Sequence, residues 1–161
     1  MKNVQLPYGK GTITVGVEDE SLRAVLRPSH ARAEACGERE LVRAALANPI
    51  GSPALRELVK GRARVLLITS DHTRPVPSGI TLPIYLEEIR RGNPAADIRI
   101  LVATGMHRPT TEAELRAKFG DEIVDREQIV VHRAADDDDM AFFGTLPSGG
   151  ELWLNKLVAW A

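Results

Sequence analysis

This sequence has a single cysteine, a net charge close to zero and no long apolar run. Its single cysteine, Cys36, cannot form an internal disulfide bond, so nothing calls for an oxidising compartment. Residues 1–8 lack the basic and apolar segments of a signal peptide, and no apolar run approaches the roughly 20 residues that span a bilayer. The 21 basic and 22 acidic side chains leave a net charge of -1, which argues against a nucleic-acid partner. We expect a cytoplasmic protein without a membrane partner.

The composition is that of a folded globular chain. Hydrophobic residues make up 43% of the 161 positions and charged residues 27%. These proportions exclude a disordered tail, a collagen-like chain and a low-complexity linker. At this length a single domain with a substantial core is expected, because folding can bury roughly two thirds of the surface of the unfolded chain.

The first 17 residues alternate apolar and polar side chains, which is typical of a β-hairpin. Residues 4–6 and 12–17 are the predicted strands. Gly9 and Gly11 are expected to supply the positive φ that a tight turn needs. The Gly-Lys-Gly sequence could also hold phosphate, but it lacks the spacing of a phosphate-binding loop, so we favour a plain turn.

Residues 18–36 are mixed and polar, and we interpret them as a connection. The apolar residues that follow them have helical spacing. The first predicted helix covers residues 37–47. A second is predicted to begin with Ser52 as its N-cap and Pro53 at its first position, and to end at Gly61.

Residues 62–135 carry the pattern of a βαβαβ unit. Short continuous apolar runs, typical of strands covered on both faces, occur at residues 64–69, 98–103 and 129–132. Helical patterns separate them at residues 80–91 and 111–119, the second opened by a capping box of Thr111 and Glu114. The alternation predicts an α/β fold class, a Rossmann-like domain with a mostly parallel sheet, preceded by the N-terminal β-hairpin.

Residues 142–161 predict a final strand followed by the start of a truncated helix. Trp153 and Trp160 lie within the last nine positions and need apolar surface to pack against. We therefore expect the natural polypeptide to continue. On this interpretation residues 1–161 are the N-terminal domain of a two-domain protein, and its C-terminal domain is absent from this chain.

Two loops rich in polar groups follow the first two strands of the βαβαβ unit. Their sequences are Ser70-Asp71-His72-Thr73-Arg74-Pro75-Val76-Pro77-Ser78 and Thr104-Gly105-Met106-His107-Arg108-Pro109. Ligands of parallel α/β sheets collect beyond the carboxyl ends of the strands. Because the two strands follow one another through a single crossover, the two loops should flank one crevice.

Each loop offers groups that suit binding or catalysis. Arg74 and Arg108 carry planar guanidinium groups that can bind phosphate or carboxylate through two hydrogen bonds. Asp71 could orient an arginine or bind a ligand hydroxyl, and Thr73 could add a hydroxyl donor to an anion. His107 has the side chain best suited to exchange a proton near neutral pH.

Ordinary structural roles are the alternative for the same residues. Asp71 could simply cap the next helix or pair with Arg74 at the surface, and His107 could lie in an ordinary turn. His132, at the end of the third predicted strand, could either join the site or merely end the strand. For the four consecutive aspartates at 136–139 we favour a solvated loop over a metal site, because hard-cation loops space their carboxylates apart.

These loops resemble those of the N-terminal domain of the lactate racemase family. The resemblance rests on Ser70-Asp71-His72-Thr73-Arg74-Pro75-Val76-Pro77, Ala103-Thr104-Gly105-Met106-His107-Arg108-Pro109-Thr110, Phe143-Gly144-Thr145, Leu154-Asn155-Lys156-Leu157-Val158 and Leu6-Pro7-Tyr8-Gly9-Lys10-Gly11. It covers nearly all of the chain, and the first two motifs together are specific.

The resemblance implies an enzyme of two α/β domains that racemises or epimerises a small 2-hydroxy acid. Its cofactor is a nickel-pincer nucleotide, a nickel-binding pyridinium mononucleotide that takes hydride from the substrate carbon and returns it. The resemblance assigns cofactor contacts to Asp71, His72, Thr73 and Arg74, and the role of catalytic base to His107. We add Arg108 as a substrate-carboxylate contact.

Part of the family's machinery has no counterpart in this sequence. The lysine that tethers the nucleotide, a second catalytic histidine and the nickel-binding histidine all lie beyond the region matched here, so the C-terminal domain is expected to supply them. No metal ligand is predicted within residues 1–161, and the fragment alone is expected to be inactive. The alternative function is a non-catalytic nucleotide- or anion-binding α/β module.

Overall fold

The computed structural model describes residues 1–26 and 36–161. Much of the predicted connection at 18–36 therefore lies outside the described residues. The chain divides into two compact units, Met1–Ala35 and Cys36–Ala161. Within the described ranges, no helix has the length and apolar character needed to cross a membrane.

The first unit contains an antiparallel β-hairpin of β1 (Lys2–Tyr8) and β2 (Gly11–Val17). Gly9 lies in the turn with φ of 57°, a left-handed conformation that glycine adopts without steric cost. The prediction of a positive φ at Gly11 is wrong, because Gly11 already belongs to β2 and pairs with Tyr8.

The second unit contains the remaining helices and strands. In chain order they are α1 (Glu38–Ala47), α2 (Leu55–Leu58), β3 (Arg64–Ser70), α3 (Ser78–Gly92), β4 (Asp97–Ala103), α4 (Glu112–Phe119), α5 (Asp121–Arg126), β5 (Gln128–Val131), a 3-10 turn (Asp137–Asp139), β6 (Met140–Thr145), β7 (Glu151–Asn155) and α6 (Lys156–Trp160).

Three parallel strands form the central sheet, in the order β3-β4-β5. Ser70 pairs with Ala103, and Val102 pairs with Val131, so all three strands end at the same edge. This confirms the predicted α/β class, with a parallel sheet and a separate N-terminal hairpin. The register carries the two polar loops and His132 to one edge of the sheet.

One face of the sheet carries the hydrophobic core. Ile98, Ile100 and Val102 alternate along β4 and are buried on this face, as the period of two in a strand requires. They pack in one cluster with Leu82, Leu86 and Ile89 of α3, Leu115 and Phe119 of α4, and Ile123 of α5. This packing fixes the helices that flank the polar loops.

The opposite face of the sheet is only partly covered. Leu101 is buried there, whereas Ile68 of β3 is 60% exposed. The prediction of strands covered on both faces is therefore wrong at Ile68. The Trp160 ring in α6 lies against Arg99 of β4, with the guanidinium carbon 4.0 Å from the ring centroid. The C-terminal segment thus covers a different part of this face.

Several local predictions need correction, while the capping box of α4 is confirmed. Both of its halves form between Thr111 and Glu114. Ser52 is not the N-cap of α2, because that helix begins at Leu55 after Ala54 and the Ser52 hydroxyl donates to the carbonyl of Pro53. The segment predicted as one final strand at 142–161 contains two, since β6 and β7 pair antiparallel before α6.

Candidate functional site

The loops after β3 and β4 meet around a cavity of about 580 Å³. We call it the Arg74 cavity, and its walls are residues 68–71, Arg74 and residues 103–107. The parallel register of β3 and β4 brings them together, because Ser70 and Ala103 are paired at the sheet edge. Arg74 and His107, the two residues on which the sequence hypothesis depends most, therefore line the same cavity.

Asp71 and His107 form a hydrogen-bonded pair across the two loops. His107 Nδ1 lies 2.6 Å from Asp71 Oδ2. The Asp71 side chain is buried, whereas that of His107 is 45% exposed. A buried carboxylate that accepts the Nδ1–H group holds a neutral imidazole in one tautomer, with the lone pair on Nε2. The accessible imidazole is thereby prepared to accept a proton.

Thr73 completes the surroundings of the Asp71 carboxylate. The Thr73 hydroxyl donates to Asp71 Oδ1 at 2.7 Å, and the Thr73 backbone N–H donates to the same oxygen at 3.1 Å. These bonds and that from His107 hold the pKa of Asp71 well below its usual range, although burial opposes the effect. Asp71 is thus ionised at neutral pH.

Arg74 projects a cation into the cavity. Its guanidinium forms no hydrogen bond or ion pair with residues 1–26 or 36–161, and it lines both the Arg74 cavity and an adjoining one near Ser78. Lys118 lines the adjoining cavity and donates from Nζ to the Arg74 carbonyl at 2.8 Å. Burial lowers the pKa of Lys118, an effect that the negative charge of Asp71 opposes. Two cations therefore lie at this end of the site.

Arg108 points to a carboxylate of the protein itself. Its guanidinium donates to both oxygens of Glu114, at 2.6 and 2.9 Å. This bond, followed by the bond from the Thr111 backbone, holds the pKa of Glu114 well below its usual range. A substrate carboxylate bound by Arg108 would have to compete with Glu114 for the guanidinium. The role of Arg108 in substrate binding stays a prediction.

His72 is also engaged within the protein. Its Nδ1 atom lies 3.0 Å from the Thr110 hydroxyl, and its Nε2 atom lies 3.9 Å from Glu114. These contacts join the loop after β3 to the start of α4. The predicted contact between His72 and the cofactor is not tested by this geometry.

A second cavity, of about 520 Å³, lies on the other side of the His107 loop. We call it the His132 cavity, because His132 after β5 lines it together with residues 105–107. Arg133 and residues 136–138 form its acidic wall, where Arg133 pairs with Asp136 at 2.8 Å. His107 is therefore accessible from two cavities rather than one.

Sequence reasoning missed three residues that shape the site. Lys118, Glu114 as an arginine partner and Asn155 as a partner of His132 were not predicted in these roles. Glu114 was recognised only as half of a capping box, and Lys118 lies on a helix with no motif around it. The contacts of Lys118 and Asn155 join distant parts of the chain, which no local pattern encodes, whereas Glu114 and Arg108 are only six residues apart.

No group of three or more potential metal-ligating side chains occurs among the residues that the structure describes. Of the aspartates at 136–139, Asp136 and Asp139 instead pair with Arg133. The Arg74 cavity presents the Asp71–His107 pair and the Arg74 cation, whereas the His132 cavity presents two imidazoles, Arg133 and three aspartates. The cation of the Arg74 cavity suits an anionic ligand.

Comparison with known proteins places this geometry in a family context. Residues 8–161 match the lactate racemase N-terminal domain. A lactate racemase from Thermoanaerobacterium thermosaccharolyticum is 46% identical over 159 residues, which are 98% of this chain and 37% of that protein. A lactate racemase from Lactiplantibacillus plantarum is 48% identical over 160 residues, which are 99% of this chain and 38% of that protein.

A solved structure shares the fold. The structure of the lactate racemase apoprotein from Thermoanaerobacterium thermosaccharolyticum matches with a TM-score of 0.88 and 46% sequence identity. The match covers 99% of this chain and 37% of that one. The chain therefore spans little more than a third of the length of these relatives.

Proposed function

The chain belongs to the family of lactate racemase N-terminal domains, and from this premise we propose that it is the N-terminal part of an enzyme that interconverts the enantiomers of a small 2-hydroxy acid. The extent and identity of the match to lactate racemases support this proposal. The observation in the chain itself that carries it is the pairing of His107 with a buried, ionised Asp71 at the end of the sheet. Lactate is the first substrate to test.

His107 is the base that takes the proton of the substrate hydroxyl. Asp71 accepts the Nδ1–H bond, so the lone pair of Nε2 is available to a ligand. The paired carboxylate also stabilises the imidazolium that forms when His107 accepts the proton. Thr73 keeps Asp71 in place through two hydrogen bonds. Asp71 and Thr73 thus position the base and need not touch the substrate.

Arg74 binds the anionic end of a cofactor or substrate. The family resemblance implies a nickel-pincer nucleotide, which carries a phosphate. The Arg74 guanidinium can bind this phosphate through two hydrogen bonds. Lys118 lies beside the adjoining cavity and adds a second positive charge. When bound, the nucleotide supplies the acceptor and donor of hydride. The family resemblance assigns the nickel ligand and the covalent tether to the remainder of the polypeptide.

The test is a comparison of His107→Ala with the wild type in the intact polypeptide. We expect turnover of either lactate enantiomer to fall at least 100-fold, because general base catalysis typically contributes about 10²–10⁴ to the rate. Nucleotide content, measured by mass spectrometry, should be unchanged, since His107 acts on the substrate. Arg74→Ala is the complementary variant, and its nucleotide retention should weaken more than tenfold.

Two results would contradict this assignment. An Ala variant at His107 that retains most of the wild-type turnover removes this residue from the mechanism. A wild-type protein that binds the nucleotide but interconverts no 2-hydroxy acid favours the alternative function, a non-catalytic nucleotide-binding module.

A further inference from the structure

His132 has no role in the mechanism above, yet it faces the same cavity as the proposed base. It follows β5 directly, and its backbone N–H donates to the carbonyl of Val102 at 3.0 Å. The side chain is half-buried and lines the His132 cavity together with His107. Its Nδ1 atom lies 3.2 Å from the side-chain nitrogen of Asn155, whereas Nε2 makes no hydrogen bond to a described residue.

Asn155 fixes the direction of that hydrogen bond. Its side-chain oxygen accepts the backbone N–H of Leu157 at 3.0 Å as the N-cap of α6. The amide must therefore turn its NH₂ group towards His132, and Nδ1 of His132 must accept. The proton of the neutral imidazole is then on Nε2, the nitrogen that Asn155 does not occupy.

Thr104 links the segments that carry His107 and His132 through two hydrogen bonds. Its carbonyl accepts the backbone N–H of His107 at 3.1 Å, and its hydroxyl donates to the carbonyl of His132 at 2.7 Å. Thr104 is itself buried. A base at His107 and a neutral N–H donor at His132 are thus held in a fixed relation around one cavity.

The charge on the wall of the His132 cavity limits which ligand groups can approach His132. Arg133 is already paired, with Asp136 at 2.8 Å and Asp139 at 2.9 Å. Asp137 and Asp138 also line this region, and neither forms an ion pair within residues 1–26 and 36–161. An acidic wall repels a carboxylate or phosphate, while carboxylate oxygens and a neutral N–H donor together suit a hydroxyl group.

We propose that His132 is a ligand-binding residue whose Nε2–H group donates a hydrogen bond to a hydroxyl oxygen in the cavity that it shares with His107. This inference rests on the proposed function and divides the site into two ends. The anionic group lies towards Arg74, and the hydroxyl group lies towards His132. The hydroxyl belongs either to the 2-hydroxy acid or to the ribose of the nucleotide, and Asn155 acts through His132 as a positioning residue.

The experiment compares His132→Asn with His132→Gln in the intact polypeptide. The shorter Asn side chain can still face Asn155 but does not reach the cavity. The Gln side chain carries an NH₂ group close to the position of Nε2, so it restores the donor. Kinetics with both lactate enantiomers, nucleotide content by mass spectrometry and thermal unfolding are measured for each protein.

Two patterns support the proposal and identify the source of the hydroxyl. If it belongs to the substrate, His132→Asn lowers kcat/KM about tenfold and leaves the nucleotide content unchanged, because the variant loses a hydrogen bond to the oxygen whose proton His107 takes. If it belongs to ribose, His132→Asn lowers the nucleotide content at least threefold and leaves the KM of the loaded fraction unchanged. In either case His132→Gln stays within about threefold of the wild type.

The tautomer provides a readout that is independent of activity. In protein labelled with ¹⁵N-histidine, at a pH where the imidazole is neutral, the NMR spectrum should place the His132 proton on Nε2. A proton on Nδ1 overturns the proposal, because Nε2 would then have no hydrogen to donate.

The kinetic outcomes separate this inference from the function on which it rests. An active wild type whose His132→Asn variant keeps its KM, kcat and nucleotide content overturns the role of His132 alone. A wild type that does not interconvert lactate enantiomers overturns the proposed function and, with it, the ligand assigned to His132. Should His132→Asn fail to fold, His132→Met, which has no donor, replaces it with the same outcomes.

Discussion

The carboxylate of Asp71 links the polar side chains of the candidate site. Asp71 accepts hydrogen bonds from Thr73 and His107 and is almost completely buried. A buried ionised carboxylate is costly unless its oxygens are satisfied, so Thr73 and His107 are what allow Asp71 to remain charged there. The charge in turn orients His107. Each of the three side chains depends on the other two.

Replacing Thr73 by valine tests this interdependence through pH. The pKa of Asp71 is lower in the folded protein than the value of about 3.9 in an unfolded chain. Ionised Asp71 therefore contributes stability above about pH 4, and this contribution is lost as the pH falls through the folded-state pKa. Thr73→Val removes the hydroxyl donor and so raises the folded-state pKa of Asp71. We therefore expect a lower free energy of unfolding at pH 7, a deficit that shrinks only as the pH falls through the folded-state pKa values of the two proteins.

Urea unfolding at pH 7, 5 and 3 measures the deficit caused by Thr73→Val. The matched control is Thr12→Val, at an exposed threonine of the hairpin. Its effect should be smaller and should not depend on pH in this range. A Thr73→Val deficit at pH 7 that is no larger than that of Thr12→Val would mean that the hydroxyl does not stabilise the ionised form of Asp71.

The sequence allowed the residues of the site to be predicted more readily than their partners. Asp71, Thr73 and His107 were all singled out because polar loops after buried strands gather at one sheet edge. Asp71 was expected to orient an arginine or bind a ligand hydroxyl, yet it binds His107. The partner depends on the register between β3 and β4, which is a long-range property of the fold.

At the scale of elements, α3 packs backbone to backbone against α2. Gly92 is the last residue of α3, and a methyl group added there would overlap the carbonyl oxygen of Arg56 and lie 2.7 Å from Val59 Cγ2. Asn93 reinforces the contact by donating to the carbonyls of Val59 and Arg62. The absence of a side chain at Gly92 therefore sets how closely the two helices approach.

Gly92→Ala should destabilise the protein even though alanine favours helices. The helix gain of up to about 1 kcal/mol is outweighed by the overlap with the α2 backbone, and overpacking costs typically about 1–3 kcal/mol. Thermal or chemical unfolding measures the net loss. Gly150→Ala is the matched control, because only the Ser148 hydroxyl lies within 4 Å of the added methyl, and it should stay within about 0.5 kcal/mol of the wild type. Equal effects at the two positions would contradict this interpretation of the α2–α3 contact.

The elements with the strongest patterns were also the best predicted. The three parallel strands were located to within one residue at either end, because continuous apolar runs mark them clearly. α5 was missed because it is only six residues long, and β6 because it follows four aspartates and contains an irregular pairing between Phe142 and Gly144. Such short elements are stabilised by tertiary contacts rather than by their own pattern.

At the scale of the whole molecule, the proposed function needs two bases, whereas we assign one, His107, among the described residues. The enantiomers of a 2-hydroxy acid, held by the same carboxylate and the same reacting carbon, direct their hydroxyl groups to opposite sides. On the proposed function, His107 serves one of these sides. With the tautomer inferred above, His132 does not serve the other, because its Nδ1 accepts from Asn155 and its Nε2 carries the proton. The second base is expected from the remainder of the polypeptide.

We therefore expect the 161-residue chain on its own to racemise lactate at least 100-fold more slowly than the intact polypeptide, since one general base is worth about 10²–10⁴ in rate. Chiral chromatography of lactate incubated with each protein, at equal nickel and nucleotide concentrations, measures the difference. Circular dichroism with a cooperative thermal transition establishes that the short chain is folded. A folded chain that interconverts the enantiomers at the rate of the intact polypeptide would show that residues 1–161 hold both bases, and the assignment of His132 as a pure donor would then be the first to fail.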